Sequence, residues 1–420
     1  MTKNIWIWNH YATSMYKNQG GRHYWFGENL IKEGYKPAIF CANTMHNGDE
    51  PITISDRNYK TDSVNDIPFV FVKTSDYKGN GFSRVKNMLM FYKNLFSVSK
   101  EYAKENGKPD VILASSVHPL TMVAGIQIAK KFGVPCICEV RDLWPESIVA
   151  YGILKRNSLI TKLLYQGEKW IYKNADSIIM TWQGGKDYIL EHEWDKSMNI
   201  EKIHHISNGV IVDSFDYNSD FYQIEDADLE DNRFKNIIYT GSIRKVNNLG
   251  ILLDVAKLIQ EKGKNDIRFL IYGSGDEKDK LITRCKDENI NNVIFKGQVE
   301  KRYIPFILKK AYINILHNSS TSLDKYGQSQ NKFFEYLAAG KCIIQTYTTG
   351  YSILEKYNCG LSASEQNTEE IANIIIKACN DEELCECMGK NARQVSKNFD
   401  FRILTKNLIH IIQDLPTKGK

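Results

Sequence analysis

The chain has 420 residues, of which 42% are apolar and 25% charged. That composition excludes disordered and fibrous classes and supplies apolar material for two or three cores. Lys plus Arg exceed Asp plus Glu by 55 − 50 = 5, too little over this length to imply a nucleic-acid partner.

The nine cysteines are odd in number and lack paired zinc spacing, which argues against a disulfide framework and for a reducing, cytoplasmic setting. At the N-terminus, Ile5-Trp6-Ile7-Trp8 is too short for a signal-peptide core. The longest apolar stretch, 111–129, is interrupted by His118 and Pro119 and reads as strand, loop and helix, not as a membrane span.

In chain order, β-branched apolar runs predict strands at 4–9, 37–42, 68–73, 110–115, 135–142, 177–181 and 203–207. A second series follows at 236–242, 268–273, 292–297, 312–317, 341–347 and 360–363. Amphipathic stretches between them, such as 24–33, 249–262, 277–288 and 330–339, make the pattern strand–helix alternation, hence parallel βαβ units. Two sets of about six strands predict an α/β protein of two doubly wound parallel-sheet domains, 1–212 and 236–400, facing a central cleft. The acidic, aperiodic stretch 213–235 reads as a linker. The helical spacing at 401–414 places a last helix in 401–420, expected to pack back on the first domain.

Six segments carry candidate chemistry. Gly20-Gly21-Arg22-His23 lies between strand one and a helix, where glycines let a ligand near the backbone; the spacing is not a dinucleotide fingerprint, and a plain turn is the competing reading. Ala114-Ser115-Ser116-Val117-His118-Pro119 ends a strong strand and brings His118 to the carboxyl edge of the sheet. Glu139-Val140-Arg141-Asp142 ends the next strand, where charges are costly unless paired or used, and an internal ion pair to Arg141 is the alternative.

In the second half, Gly241-Ser242-Ile243-Arg244-Lys245 follows a strand with two cations suited to phosphate oxygens, or with a solvated basic turn. Gly273-Ser274-Gly275-Asp276 is a further glycine-bearing strand-to-helix turn. Last, Gln330-Asn331-Lys332 opens a helix whose free N–H groups could hold an anion beside Lys332. Glu335 lies one turn on and could accept hydrogen bonds from a ribose diol or pair with Lys332.

The ordered set of segments resembles the family 4 glycosyltransferases of GT-B fold, closest to the bacterial cell-surface polysaccharide branch that includes L-fucosamine transferases. The matching pieces are Gly20-Gly21-Arg22-His23-Tyr24, Glu139-Val140-Arg141-Asp142-Leu143-Trp144-Pro145-Glu146-Ser147, Ser207-Asn208-Gly209-Val210, Tyr239-Thr240-Gly241-Ser242, Gly273-Ser274-Gly275-Asp276 and the run Asn331 to Lys341.

The resemblance implies retaining, metal-independent transfer from a nucleotide diphosphate sugar, read as UDP-linked HexNAc or deoxyhexosamine. The acceptor is a glycan or lipid-linked saccharide of a capsule, O-antigen or lipopolysaccharide pathway. It implies catalytic roles for His118, Asp142, Arg244 and Lys332. It places Gly20, Gly21, Ser242, Lys245, Gly273, Val299, Gln330, Asn331 and Glu335 against the donor, and no metal or other cofactor. The family's paired-glutamate motif has only its second member, Glu335; Gly327 stands at the first. A nucleotide-sugar 2-epimerase and a non-catalytic nucleotide-sugar-binding subunit are the alternatives.

Two further features bear on partners. Asp226-Ala227-Asp228 has the letters of a metal motif but lies in the acidic stretch, where it reads as solvated charge. Arg84, Lys86, Lys93, Lys100 and Lys104, interleaved with Val85, Met88, Leu89, Phe91, Tyr92, Leu95 and Phe96, form a basic amphipathic helix. It suits either peripheral contact with the inner membrane or core packing.

Overall fold

A computed structural model describes residues 3–45, 50–77, 79, 81–116 and 118–416. Lys78 and Asn80 of the glycine-bearing loop before the basic helix, and Val117 beside His118, lie outside the described residues. The chain divides into two units, residues 1–207 with 401–420, and residues 208–400.

The first unit carries β1 (Asn4–Trp8), β2 (Lys36–Ala42), β3 (Tyr59–Val64), β4 (Ile67–Val72), β5 (Val111–Ser115), β6 (Cys136–Val140), β7 (Ser177–Met180) and β8 (Ile203–His205). Their order is β3-β4-β2-β1-β5-β6-β7-β8. All pairings are parallel except β3 with β4. That edge hairpin departs from the sequence expectation. Its strand, Tyr-Lys-Thr-Asp-Ser-Val, is exposed along most of its length, so it carries no apolar run. Its turn is Asn65-Asp66, both at positive φ (48° and 62°), a two-residue geometry that matches strand twist. The central strands are buried on both faces, as parallel sheets require; Ile5, Ile7 and Trp8 are fully covered.

The second unit carries β9 (Lys235–Thr240), β10 (Ile267–Tyr272), β11 (Val293–Gly297), β12 (Ile313–Leu316), β13 (Cys342–Gln345) and β14 (Gly360–Ser362). Their order is β11-β10-β9-β12-β13-β14. Alternation along β9 feeds one core on each face: Ile237 and Tyr239 enter one, Ile238 the other.

The stretch 213–235 is not a linker. The helix Val212–Phe221 and a short turn of helix, Ala227–Glu230, belong to the second unit, and Phe215 and Leu229 enter its core. Nor are Asp226 and Asp228 simply solvated. Lys296 Nζ bridges them at 2.6 and 2.8 Å, Arg268 pairs with Asp228 at 2.9 Å, and Tyr272 donates to Asp226. The cations come from β10 and β11, so nothing local in the acidic stretch announces them. The chain passes between units at 207/208, ahead of the boundary expected at 212.

At the other end, the helix Phe401–Asp414 lies in the first unit. The Phe401 ring sits 4.7 Å from Trp25 and 5.4 Å from Phe26. The nine cysteines are free, all buried except Cys387.

Candidate active site

In the first sheet the chain runs outward from β1 toward β2 and β4, and from β5 toward β8 in the opposite direction. The order reverses between β1 and β5, which is where open α/β sheets bind ligands. His10 follows β1, and His118 follows β5 as the residue before the helix Pro119–Phe132.

Below that edge Glu139 is wholly buried. Arg22 Nε donates to its Oε1 and His23 Nε2 to its Oε2, both at 2.7 Å, and Ser115 Oγ donates to Oε2 at 2.6 Å. Its charged neighbours, Arg22 foremost, hold its carboxyl well below the usual range despite burial. Arg22 also donates to the carbonyls of Ile206 and Ser207. The bond from Asn9 Nδ2 to His23 Nδ1 completes a neutral Nε2–H imidazole, consistent with its lowered pKa under burial. Glu139 is thus satisfied by Arg22 and His23, not by Arg141.

A second chain of hydrogen bonds sets the state of His118. Asn87 Nδ2 donates to the Ser75 carbonyl, which can only accept, so Asn87 presents Oδ1 to His10 Nε2 at 2.6 Å. His10 must donate there, leaving Nδ1 to accept from His118 Nε2 at 2.8 Å. His118 is 2% exposed, and its Nδ1 has no partner among the described residues. The relay therefore leaves a bare proton acceptor at the switch point.

Burial pushes His118 down to about 3, and His10 well below its ordinary value. In the second unit His317, fully buried, is pushed down to about 4. These folded-state histidines resist a proton that the unfolded chain accepts below about pH 6.5. Their contribution is full above that value and is lost as pH falls toward their folded pKa values. Stability is expected to decline from pH 7 to 4, each site adding up to about 1.4 kcal/mol per pH unit. Urea unfolding across that range measures it, and a flat profile would contradict the neutral assignments.

The second sheet reverses order between β9 and β12. At the ends of β9 and β10 the backbone is packed against itself. A Cβ on Gly273 would lie 1.8 Å from Gly241 O, and one on Gly275 2.1 Å from Ile243 O. Gly273 (φ 154°) is thus demanded by loop-to-loop packing, a requirement independent of any ligand. Ser242 Oγ donates to Asn247, and Asn247 to Asn318.

Beyond β12, His317 Nε2 donates to Asn248 O and its Nδ1 accepts from Thr346. The His317 carbonyl accepts from Lys332 Nζ at 3.1 Å, and Lys332 also lies 4.5 Å from the Tyr239 ring centre. Dense surroundings push this half-buried amine down to about 7.

Lys332 is the second residue of the helix Asn331–Ala339, whose N-cap, Gln330, makes no side-chain cap. Gln330 instead donates to the Tyr347 hydroxyl at 2.6 Å. Ser329 Oγ accepts from Asn208 N, and its carbonyl accepts from Asn208 Nδ2. The loop is fixed from outside; Phe333 N donates back to the Gln330 carbonyl at 3.1 Å, and the amides of Asn331 and Lys332 receive no side-chain cap from Gln330. Glu335 pairs with the exposed Lys301 at 2.7 Å, not with Lys332.

Two family models tile the chain in the order of its units: "Glycosyltransferase Family 4" matches residues 26–214 and "Glycosyl transferases group 1" matches 221–395. The chain is a GT-B glycosyltransferase. An uncharacterized glycosyltransferase of Methanocaldococcus jannaschii is 19% identical over 84% of this chain and 91% of that protein. A putative teichuronic acid biosynthesis glycosyltransferase of Bacillus subtilis, TuaH, is 28% identical over 52% of each chain. Among solved structures, a sucrose-phosphate synthase from Thermosynechococcus elongatus superposes with TM-score 0.72, 17% identity and coverage of 98% and 99%. Anabaena HepE in complex with UDP gives 0.67, 13% identity and coverage of 99% and 100%.

In this glycosyltransferase the sequence-chosen residues fall into separate groups. His118 stands at the edge of the first sheet, with Asp142 exposed beyond β6. Gly20 precedes Gly21, which sits at φ 111° before the helix Arg22–Lys32. Lys332, Gln330, Asn331 and Glu335 share one helix start. Val299 follows β11 and packs partly against the core, next to Gln298, which accepts from Ser274.

Arg244 and Lys245 lie just beyond β9, in the turn that ends at Asn248. They line a groove of about 630 Å³ with Glu277, Lys280 and Arg284, along the helices Gly250–Glu261 and Lys278–Asp287. His10, Asn87, His317 and Tyr347 were not singled out in the sequence.

Proposed function

We propose that this glycosyltransferase moves a sugar, with retention and without a metal, from a UDP-sugar to a lipid-linked saccharide in cell-surface polysaccharide synthesis. The observation that carries the donor reading is the uncapped start of the helix Asn331–Ala339. Open amides, Lys332 in the first turn and Glu335 one turn on suit a diphosphate followed by a ribose diol. As the glycosyl bond breaks, negative charge grows on the leaving diphosphate, and preplaced amides and an ammonium stabilise it.

Support for UDP comes from the HepE complex, and for a polysaccharide acceptor from TuaH. A donor of N-acetylated or 6-deoxy hexosamine type is part of the proposal, as are contacts from His118 and Asp142 to the sugar and acceptor. The relay through His10 leaves His118 Nδ1 able to accept a hydrogen bond from a sugar hydroxyl.

Thermal unfolding with UDP, GDP, CMP, ADP and dTDP, without added metal, tests the donor half. A ligand at ~100 times its Kd adds about 2.7 kcal/mol. A selective UDP shift that disappears in Glu335→Ala is expected. That substitution removes an exposed ion pair worth ~0–1 kcal/mol, so the fold should persist. No shift with any nucleotide would overturn the reading.

A further inference from the structure

The helix Leu159–Asn174 and the loop before it present an unusual surface. Ile153, Leu159, Ile160 and Leu163 are 72%, 80%, 62% and 72% exposed. Leu159 and Leu163 share one helical face, and Trp170, 40% exposed, continues it two turns on. The opposite face holds the helix to the unit through buried Thr161, Glu168, Ile171 and Tyr172.

Cations interleave with the apolar side chains: Lys155, Arg156, Lys162, Lys169 and Lys173 fall within the same stretch. Arg156 pairs with Glu146. The one carboxylate in 151–173 is Glu168, which is buried and accepts from the Tyr172 and Tyr188 hydroxyls. Within 151–173 the outer face is therefore apolar and cationic, with no surface carboxylate. A second copy of this face would repel it, whereas an anionic bilayer complements both properties. No described helix is long and apolar enough to cross a membrane, so the contact this surface can make is interfacial.

We propose that the face formed by Ile153, Leu159, Ile160 and Leu163, with Lys155 and Lys162, docks on an anionic membrane surface. The lipid-linked acceptor of the proposed function gives this docking its purpose; the docking is measured without any transfer. The basic helix Phe82–Asn106, read from sequence as suited to membrane contact or core packing, packs Phe91, Leu95, Val98 and Tyr102 into the unit; its exposed large apolar side chains are Phe82, Val85 and Leu89, near its start.

Co-sedimentation of the full chain with vesicles of 30% phosphatidylglycerol in phosphatidylcholine, against pure phosphatidylcholine, tests this. Binding is expected to need phosphatidylglycerol and to weaken in 0.5 M NaCl. It should fall at least about tenfold in Leu159→Ser/Leu163→Ser and about fivefold in Lys162→Gln. Phe82→Ser/Leu89→Ser, the comparison pair, should bind as wild type, and an unchanged melting temperature shows that each variant is folded. Absence of vesicle binding, or undiminished binding of Leu159→Ser/Leu163→Ser, overturns the proposal. So does a wild-type dimer in size-exclusion chromatography that the same pair converts to monomer. Vesicle binding by a protein that gives no nucleotide shift leaves the docking face standing and removes the transfer reading instead.

Discussion

Glu139→Ala should cost the first unit roughly 3–5 kcal/mol, the usual penalty for removing one partner of a buried ion pair. The cost comes from what remains. Arg22, 3% exposed, would keep its charge with no carboxylate to meet it, and the His23 and Ser115 donors would point into the space left behind. Equilibrium urea unfolding, followed through the first unit's tryptophans, measures the loss. Glu139→Gln should be milder, because an amide oxygen still accepts from His23, yet worse than any surface substitution. Near-wild-type stability in Glu139→Ala would mean that Arg22 finds its compensation in the carbonyls of Ile206 and Ser207 alone.

Lys332→Met is expected to lower kcat by ~10²–10³, the usual loss when one preplaced donor to a developing oxyanion is removed. Folding should be spared: the amine is half-buried, its protein contacts are one carbonyl and one ring face, and methionine fills similar space. Because the free amine is held at about 7, an anion arriving at the helix start should draw a proton onto it near neutral pH. Calorimetry of UDP binding at pH 7.5 in two buffers of different ionisation enthalpy should report proton uptake in wild type and none in Lys332→Met. Equal enthalpies in both buffers, together with unchanged kcat, would remove Lys332 from the diphosphate site.

The sequence was most legible where burial forces a pattern. Parallel strands covered on both faces write themselves as apolar runs, so thirteen of the fourteen strands among the described residues lie at or within a residue or two of their expected places. β3 escaped because an exposed edge strand has no apolar run to write. The acidic stretch misled for a related reason: Asp226 and Asp228 look solvated until β10 and β11 deliver Arg268 and Lys296. Long-range partners of that kind are invisible in a local window.

The same holds for the site. Glycines at Gly273 and Gly275 were legible as glycines, but the reason for them is one backbone lying on another. Asn87 did leave a trace, since it sits four residues before Phe91 on the buried stripe of its helix. A polar side chain at an apolar position signals a partner to be found.

The return of the last helix to the first unit has a temporal meaning. Trp25 and Phe26 are made early, and Phe401, the ring that closes over them, comes some 375 residues later in the chain. At synthesis rates of ~5–20 residues per second, that interval is about 20–75 seconds. The second unit ends at Asp400, so its last residue is made just before Phe401 returns to the first. The earliest part of the chain is thus finished only after the second unit, and its apolar face must wait, uncovered, until the helix Phe401–Asp414 has been made.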